Sequence, residues 1–129
     1  MKDILLSDYQ DCVNKMLVRN KSILDILSKM DITQGKIQRS IAKSVTHCGC
    51  IEIDAKKREK AETLEDYKKY GDFHVNKHLC DECKNNLEKE MGNHLFYFAA
   101  LCNALDVDMY DIILKEKQNL ETLGKFSLR

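Results

Sequence analysis

The chain has 129 residues, with 21 Lys and Arg against 21 Asp and Glu, five Gly, no Pro and no Trp. That length encloses one modest core and not two, a formal charge of zero gives no case for an electrostatic nucleic-acid binder, and no apolar stretch approaches the roughly 20 residues of a membrane span. Lys, Glu, Leu, Ile, Ala and Asp without proline favour helix over strand, so the expectation is an all-α, four- to five-helix bundle forming a single domain over residues 1–129.

The first helical segment runs from about Ser7 to Met30. Tyr9, Cys12, Val13, Met16 and Leu17, then Ile23, Leu24, Ile26, Leu27 and Met30, recur at helical spacing, in two pieces broken near Asn20. Cys12 and Cys102 sit inside such apolar stripes and are expected as core residues. Thr33 reads as an N-cap, and Ile37, Ile41, Val45 and Cys48, at spacings of four, four and three, make one apolar face of a second helix. His47 and Cys50 fall off that stripe, with Lys43 and Asp54.

From Asp54 to about Tyr70 the residues DAKKREKAETLEDYKKY are dense in both charges, the pattern of a solvated helix extension or arm. Gly71 and Asp72 mark a break, so about 54–78 reads as a charged insertion. A long third helix is expected from near Cys80, with the stripe Leu87, Met91, Leu95, Phe98, Cys102 and Leu105, while Cys83, Glu90 and His94 share a neighbouring face. After Asp106-Val107-Asp108 a last helix carries Tyr110, Ile113 and Leu114. A polar tail follows, in which Lys115 and Lys117 are candidate phosphate contacts but more simply solvated charges.

The strongest chemical signal is four cysteines in two short pairs, Cys48-Gly49-Cys50 and Cys80-Asp81-Glu82-Cys83, each beside a histidine, His47 and His78. Thiolates two or three residues apart can share one cation. Zn²⁺ takes Cys and His in tetrahedral geometry, and an iron–sulfur cluster uses the same four thiolates. On a regular helix the sulfurs of C-x-C point about 200° apart. Either the helix deforms at Gly49, or His47 and Cys50 are the ligand pair. The opening MKDILLSDYQ has no signal-peptide core, so a cytoplasmic chain with reduced thiols and no disulfide framework is expected.

Residues Glu88 to Arg129 contain KEMGNHLFYFAALCNALDVD, which resembles the E-E-L-G-D-x-L-x-Y-L-x-x-L-x-x-x-L-x-I-D stretch of MazG-type domains in the all-α nucleoside-triphosphate pyrophosphohydrolase superfamily. Upstream, SVTHCGCIEI aligns with that family's E-E-x-G-E, Gly49 falling on its glycine. The resemblance implies a MazG-like bundle that cleaves a nucleoside triphosphate to monophosphate and pyrophosphate, with E-x-x-E and E-x-x-D caging Mg²⁺. In this sequence those positions hold His47 and Cys50, then Glu90 and Asn93. Glu90, the one surviving carboxylate, is the candidate catalytic residue.

Thiolate and imidazole suit softer metals than Mg²⁺. The leading reading is a transition-metal site, Zn²⁺ first, with Cys48, Cys50, Cys80 and Cys83 as ligands and His47, His78 or His94 as substitutes. Its alternative is an active hydrolase using Mg²⁺ and a nucleotide ligand. Were His47 and Cys50 to face Glu90 and Asn93, Cys83 would lie about two turns away, roughly 10 Å. The site would then split into a His47/Cys50/Glu90/His94 centre and a Cys80/Cys83 dithiol. Apolar helix faces exceeding one small core, and the assembly habit of the resembling family, lead us to expect a homo-oligomer, dimer or tetramer.

Overall fold

The computed structural model describes residues 4–124. The outermost residues of the polar tail, 125–129, and of the N-terminus lie outside the described residues. Four long helices, α1 (Ile4–Met16), α2 (Ile23–Lys43), α4 (Asp81–Ala104) and α5 (Met109–Leu123), make the body, and α2 runs on into a π-helical turn over Ser44–Cys48. Between α2 and α4 the chain leaves the body through strand β1 (Ile51–Ile53), a short helix α3 (Leu64–Tyr70) and strand β2 (Val75–Lys77).

Helices α2 and α4 form the central pair. Ile26 joins Ala99 and Ala100 in the core, Thr33 bonds His94, and the Ser44 hydroxyl reaches Cys83. Residue numbers rise on α2 as they fall on α4, so the pair is antiparallel. The apolar core sits at one end, where Val13, Ile26, Ala99, Ala100, Cys102 and Met109 are buried, with Leu6, Tyr9, Leu17, Met30, Phe96, Phe98, Leu101 and Ile112 around them. At the other end little apolar surface is buried beyond Ile51 and Leu87. That end needs another source of stability.

Local chemistry sets the breaks. Asn20, at φ 57°, takes the left-handed conformation between α1 and α2, and Ser22 caps α2, its Oγ accepting from Leu24 N at 3.3 Å. Asp106 is also left-handed, and Val107 N donates back to Cys102 O at 2.8 Å, closing α4. Asp108 then caps α5 through Tyr110 N. Gln10 pins α1 to this corner: its Nε2 donates to Asn103 Oδ1 and Val107 O, and its Oε1 accepts from Met109 N.

Four expectations change. Thr33 is not a helix start, for α2 passes through it unbroken. Its hydroxyl, buried in the helix pair, donates back to Lys29 O at 2.9 Å or Met30 O at 3.1 Å, which satisfies it without ending the helix. Cys12 is exposed, whereas Cys102 is buried. Of the stripe on α4, Leu87 and Cys102 are buried but Met91 and Leu95 are each 46% exposed and Leu105 60%. The line of α4 turned toward α2 is the neighbouring one: Cys83, Leu87, Glu90 and His94. The charged segment is not an extension of α2 either, since 54–62 carries no helix and α3 begins only after Thr63 caps it.

With the Thr33 hydroxyl proton on a carbonyl, its oxygen accepts from His94 Nδ1–H at 2.7 Å. Thr33→Val is near isosteric and leaves that imidazole donor unpaired between the helices. The expected cost is about 1–3 kcal/mol, read as a lowered urea midpoint at unchanged slope.

Candidate metal centre

The site is built where the two ends of the β1–β2 excursion meet. α2 widens into a π turn over its last residues, and Gly49 N–H closes it by donating to Ser44 O at 2.9 Å. Gly49 then reverses the chain at φ 76°, so Cys48 closes the helix and Cys50 opens the hairpin. This resolves the C-x-C difficulty, because the two sulfurs no longer radiate from one regular helix. β1 and β2 pair antiparallel with Ile51 opposite Lys77 and Ile53 opposite Val75, and Asp54 N donates to His74 O beyond them. The pairing returns the chain beside Cys50. Cys80 is the N-cap of α4, its Sγ accepting from Cys83 N at 3.4 Å.

No atom lies within 4 Å of where a Gly49 Cβ would stand, so a substitution there meets only backbone strain. Gly49→Ala should cost about 1–2 kcal/mol and weaken metal retention together with stability, read by denaturant titration with and without chelator.

Four sulfur atoms converge. The Sγ atoms of Cys48, Cys50, Cys80 and Cys83 all lie within 4.8 Å of one another, and Cys48 and Cys80 are 3.8 Å apart. A disulfide would hold two sulfurs about 2.05 Å apart. A tetrahedron with metal–sulfur bonds of about 2.3 Å has an edge of about 3.8 Å. The spacing is compatible with four ligands around one cation. The separation of Cys83 from the first pair, expected if His47 and Cys50 faced Glu90, does not arise, because Cys50 has left the helix.

Without a cation, Cys48, Cys80 and Cys83 are shifted in different directions by their neighbours. Cys80 is lowered, chiefly by the Cys83 backbone N–H at its sulfur and then by the Cys83 thiol. Cys83 is favoured as a thiolate by the Ser44 hydroxyl, but Cys80, burial, Cys50 and Cys48 outweigh this and push it up to about 12. Cys48 is helped by Cys83, yet Cys80 and Cys50 raise it on balance. As pH rises in metal-free protein, Cys80 should thus be the first of the three to be alkylated by iodoacetamide and Cys83 the last, as peptide mapping would show. A bound metal should protect all of them.

The histidines stand apart. Among the described residues, the group of metal-capable side chains is the four cysteines alone. His47 and His78 are exposed and outside it, and the half-buried His94, also outside it, has its Nδ1 engaged by Thr33. Glu90 lies on α4 between Leu87 and His94, in a groove against α2 lined also by Lys36, Arg39, Ser40, Lys43, Asn86 and Lys89. Its Oε2 is buried without a hydrogen-bond partner. Asn93 is exposed. The groove was not legible beforehand. Lys36, Arg39 and Lys43 recur at helical spacing, but Lys89 becomes their neighbour only through the antiparallel pairing of α2 with α4.

No family model, no curated protein and no solved structure matches this chain. Among the described residues no helix is long and apolar enough to cross a membrane.

Proposed function

We propose that the chain is a zinc protein: a MazG-like helical domain carrying a structural or regulatory Zn²⁺(Cys)₄ centre, of whose ligands Cys50 alone falls on a position of the family's Mg²⁺ cage. The observation that carries this is the convergence of four thiols from the two ends of one excursion. Zn²⁺ suits four thiolates in tetrahedral array and performs no redox chemistry of its own. An iron–sulfur cluster distributes its thiolates over separate irons, which calls for wider spacing than the edge of a single-ion tetrahedron. The metal would fasten α2, the hairpin and α4 together at the end of the bundle where apolar burial is thinnest, and there its binding free energy becomes folding free energy.

The hydrolase alternative rests on the resemblance and on Glu90. With His47, Cys50 and Asn93 in place of the other three acids, it lacks the carboxylate cage that Mg²⁺ prefers. Self-association belongs to the same reading. Leu27 on α2 and Met91 and Leu95 on α4, each 46% exposed, flank the seam on the side away from the basic groove, as helical angles of 100° per residue require. That apolar face supports a homodimer or tetramer.

Elemental analysis of protein purified without added metal or affinity histidines tests the proposal. About one zinc per chain, lost on thiol alkylation, is expected. Iron with sulfide would replace zinc by a cluster, and absence of any transition metal together with Mg²⁺-dependent nucleotide cleavage would replace the whole reading by the hydrolase.

A further inference from the structure

We infer that the outer pair of the four thiols, Cys48 and Cys80, is a modification site, which a peroxide oxidises to a disulfide with loss of the bound metal. The inference rests on the zinc reading and adds the regulation of that same site. The four sulfurs are not equivalent. Ser44, 1% exposed at the head of the π turn, holds two of them from one side. Cys50 Sγ donates to its carbonyl at 3.8 Å, and its hydroxyl reaches Cys83. Cys48, by contrast, is exposed, and its sulfur lies 3.8 Å from that of Cys80.

Four cysteines allow three pairings, and the surroundings favour one. A disulfide holds its sulfurs about 2.05 Å apart, so Cys48 and Cys80 must approach by about 1.8 Å. Both stand where the backbone can give. Cys48 is the last residue of the π turn, before the reversal at Gly49, and Cys80 precedes the first turn of α4. A bond from Cys48 to Cys50 would pull on β1, whose first residue, Ile51, is fixed opposite Lys77. Any bond to Cys83 would take that sulfur from Ser44.

The oxidant is a hydroperoxide, hydrogen peroxide in the simplest case. The Cys48 sulfur attacks one oxygen, the O–O bond breaks, hydroxide leaves and a sulfenic acid forms. The Cys80 sulfur then attacks the Cys48 sulfur, an S–S bond replaces the S–O bond, and a second hydroxide leaves. Two thiolates give up two electrons, and the peroxide that takes them ends as two waters once protonated. Coordination slows attack on a thiolate without abolishing it, and attack begins at the exposed member. Cys50 and Cys83 are then the only ligands left, too few to retain a tetrahedral ion. The new bond keeps the end of α2 tied to the start of α4, but it no longer holds Cys50 at the root of the hairpin. Oxidation exchanges a clasp on three elements for a clasp on two.

The test uses the full chain as purified. Its zinc content is measured first, hydrogen peroxide is then added in steps beside a chromogenic zinc indicator, remaining thiols are alkylated, and cross-linked peptides are fragmented in a mass spectrometer. About one zinc should be released per peroxide consumed. The cross-link should join Cys48 to Cys80, with Cys50 and Cys83 recovered alkylated, and dithiothreitol with added zinc should restore the starting state. Cys12→Ser, which removes an exposed thiol on α1, should behave as wild type. In the oxidised protein amide exchange should rise in β1 and β2 and stay slow in the first turn of α4, whereas chelation loosens both. A preparation without zinc at the outset would contradict the metal reading and the release with it. Zinc retained in excess peroxide, or released with Cys48–Cys50 or Cys80–Cys83 as the cross-link, would overturn the inference and leave the metal reading intact.

Discussion

Replacing Cys83 by serine should abolish stoichiometric zinc retention and loosen one end of the molecule while sparing the other. Cys83 projects from the α2-facing line of α4 and contacts Ser44 at the start of the π turn, so it links the long helix pair to the hairpin base. Serine keeps the size but offers a hydroxyl in place of a thiolate, a poor ligand for a soft cation. Structural zinc sites in small domains bind with apparent free energies of about 10–16 kcal/mol, larger than the whole stability of many domains. The effect should be regional. Amide exchange should rise across the π turn, β1, β2 and the first turns of α4, and remain slow around Ala99 and Ala100, both nearly inaccessible. Chelation of the wild type should reproduce the pattern. Uniform loss of protection would show that the metal supports the whole fold, and no change would show that it supports none.

Ile26→Ala should have the opposite distribution. Ile26 is 1% exposed among Val13, Ala99, Ala100, Cys102 and Met109, and its truncation leaves a cavity where α1, α2 and α4 meet. Such substitutions cost about 2–5 kcal/mol. The loss should appear as a lower midpoint in urea with little change of slope, and zinc stoichiometry should stay at one wherever the protein remains folded. Together the two variants separate the apolar end of the bundle from its cysteine end. If Ile26→Ala released zinc from folded protein, the two ends would be one cooperative unit.

Much of this architecture was legible in the residues. The helix boundaries near Asn20, Gly71, Cys80 and Asp108 follow from left-handed and capping chemistry that is local, and local chemistry is what a sequence displays. The two cysteine pairs likewise announced a cluster of thiols able to hold a metal. Their spacing leaves two arrangements open, a helix deformed at Gly49 or a His47/Cys50 pair, and the π turn and the left-handed Gly49 give the first. The strands β1 and β2, each of three residues, were too short for alternation to register. Thr33 misled because a buried threonine in mid-helix carries the same letter as an N-cap, and only the carbonyls of Lys29 and Met30 with His94 opposite tell them apart. The α4 stripe misled for a related reason: α2 meets the line of Cys83, Leu87, Glu90 and His94, leaving Met91 and Leu95 half covered. Which face of a helix is buried depends on its partner, and the partner is set by the antiparallel pairing of segments some sixty residues apart.

X-ray absorption at the zinc edge, on protein as purified, tests the central claim most directly. The account predicts four sulfur scatterers at about 2.3 Å and no nitrogen shell. A nitrogen shell at about 2.0–2.1 Å would bring His47, His78 or His94 into the coordination sphere and contradict the four-cysteine centre, and a preparation without zinc would contradict it altogether.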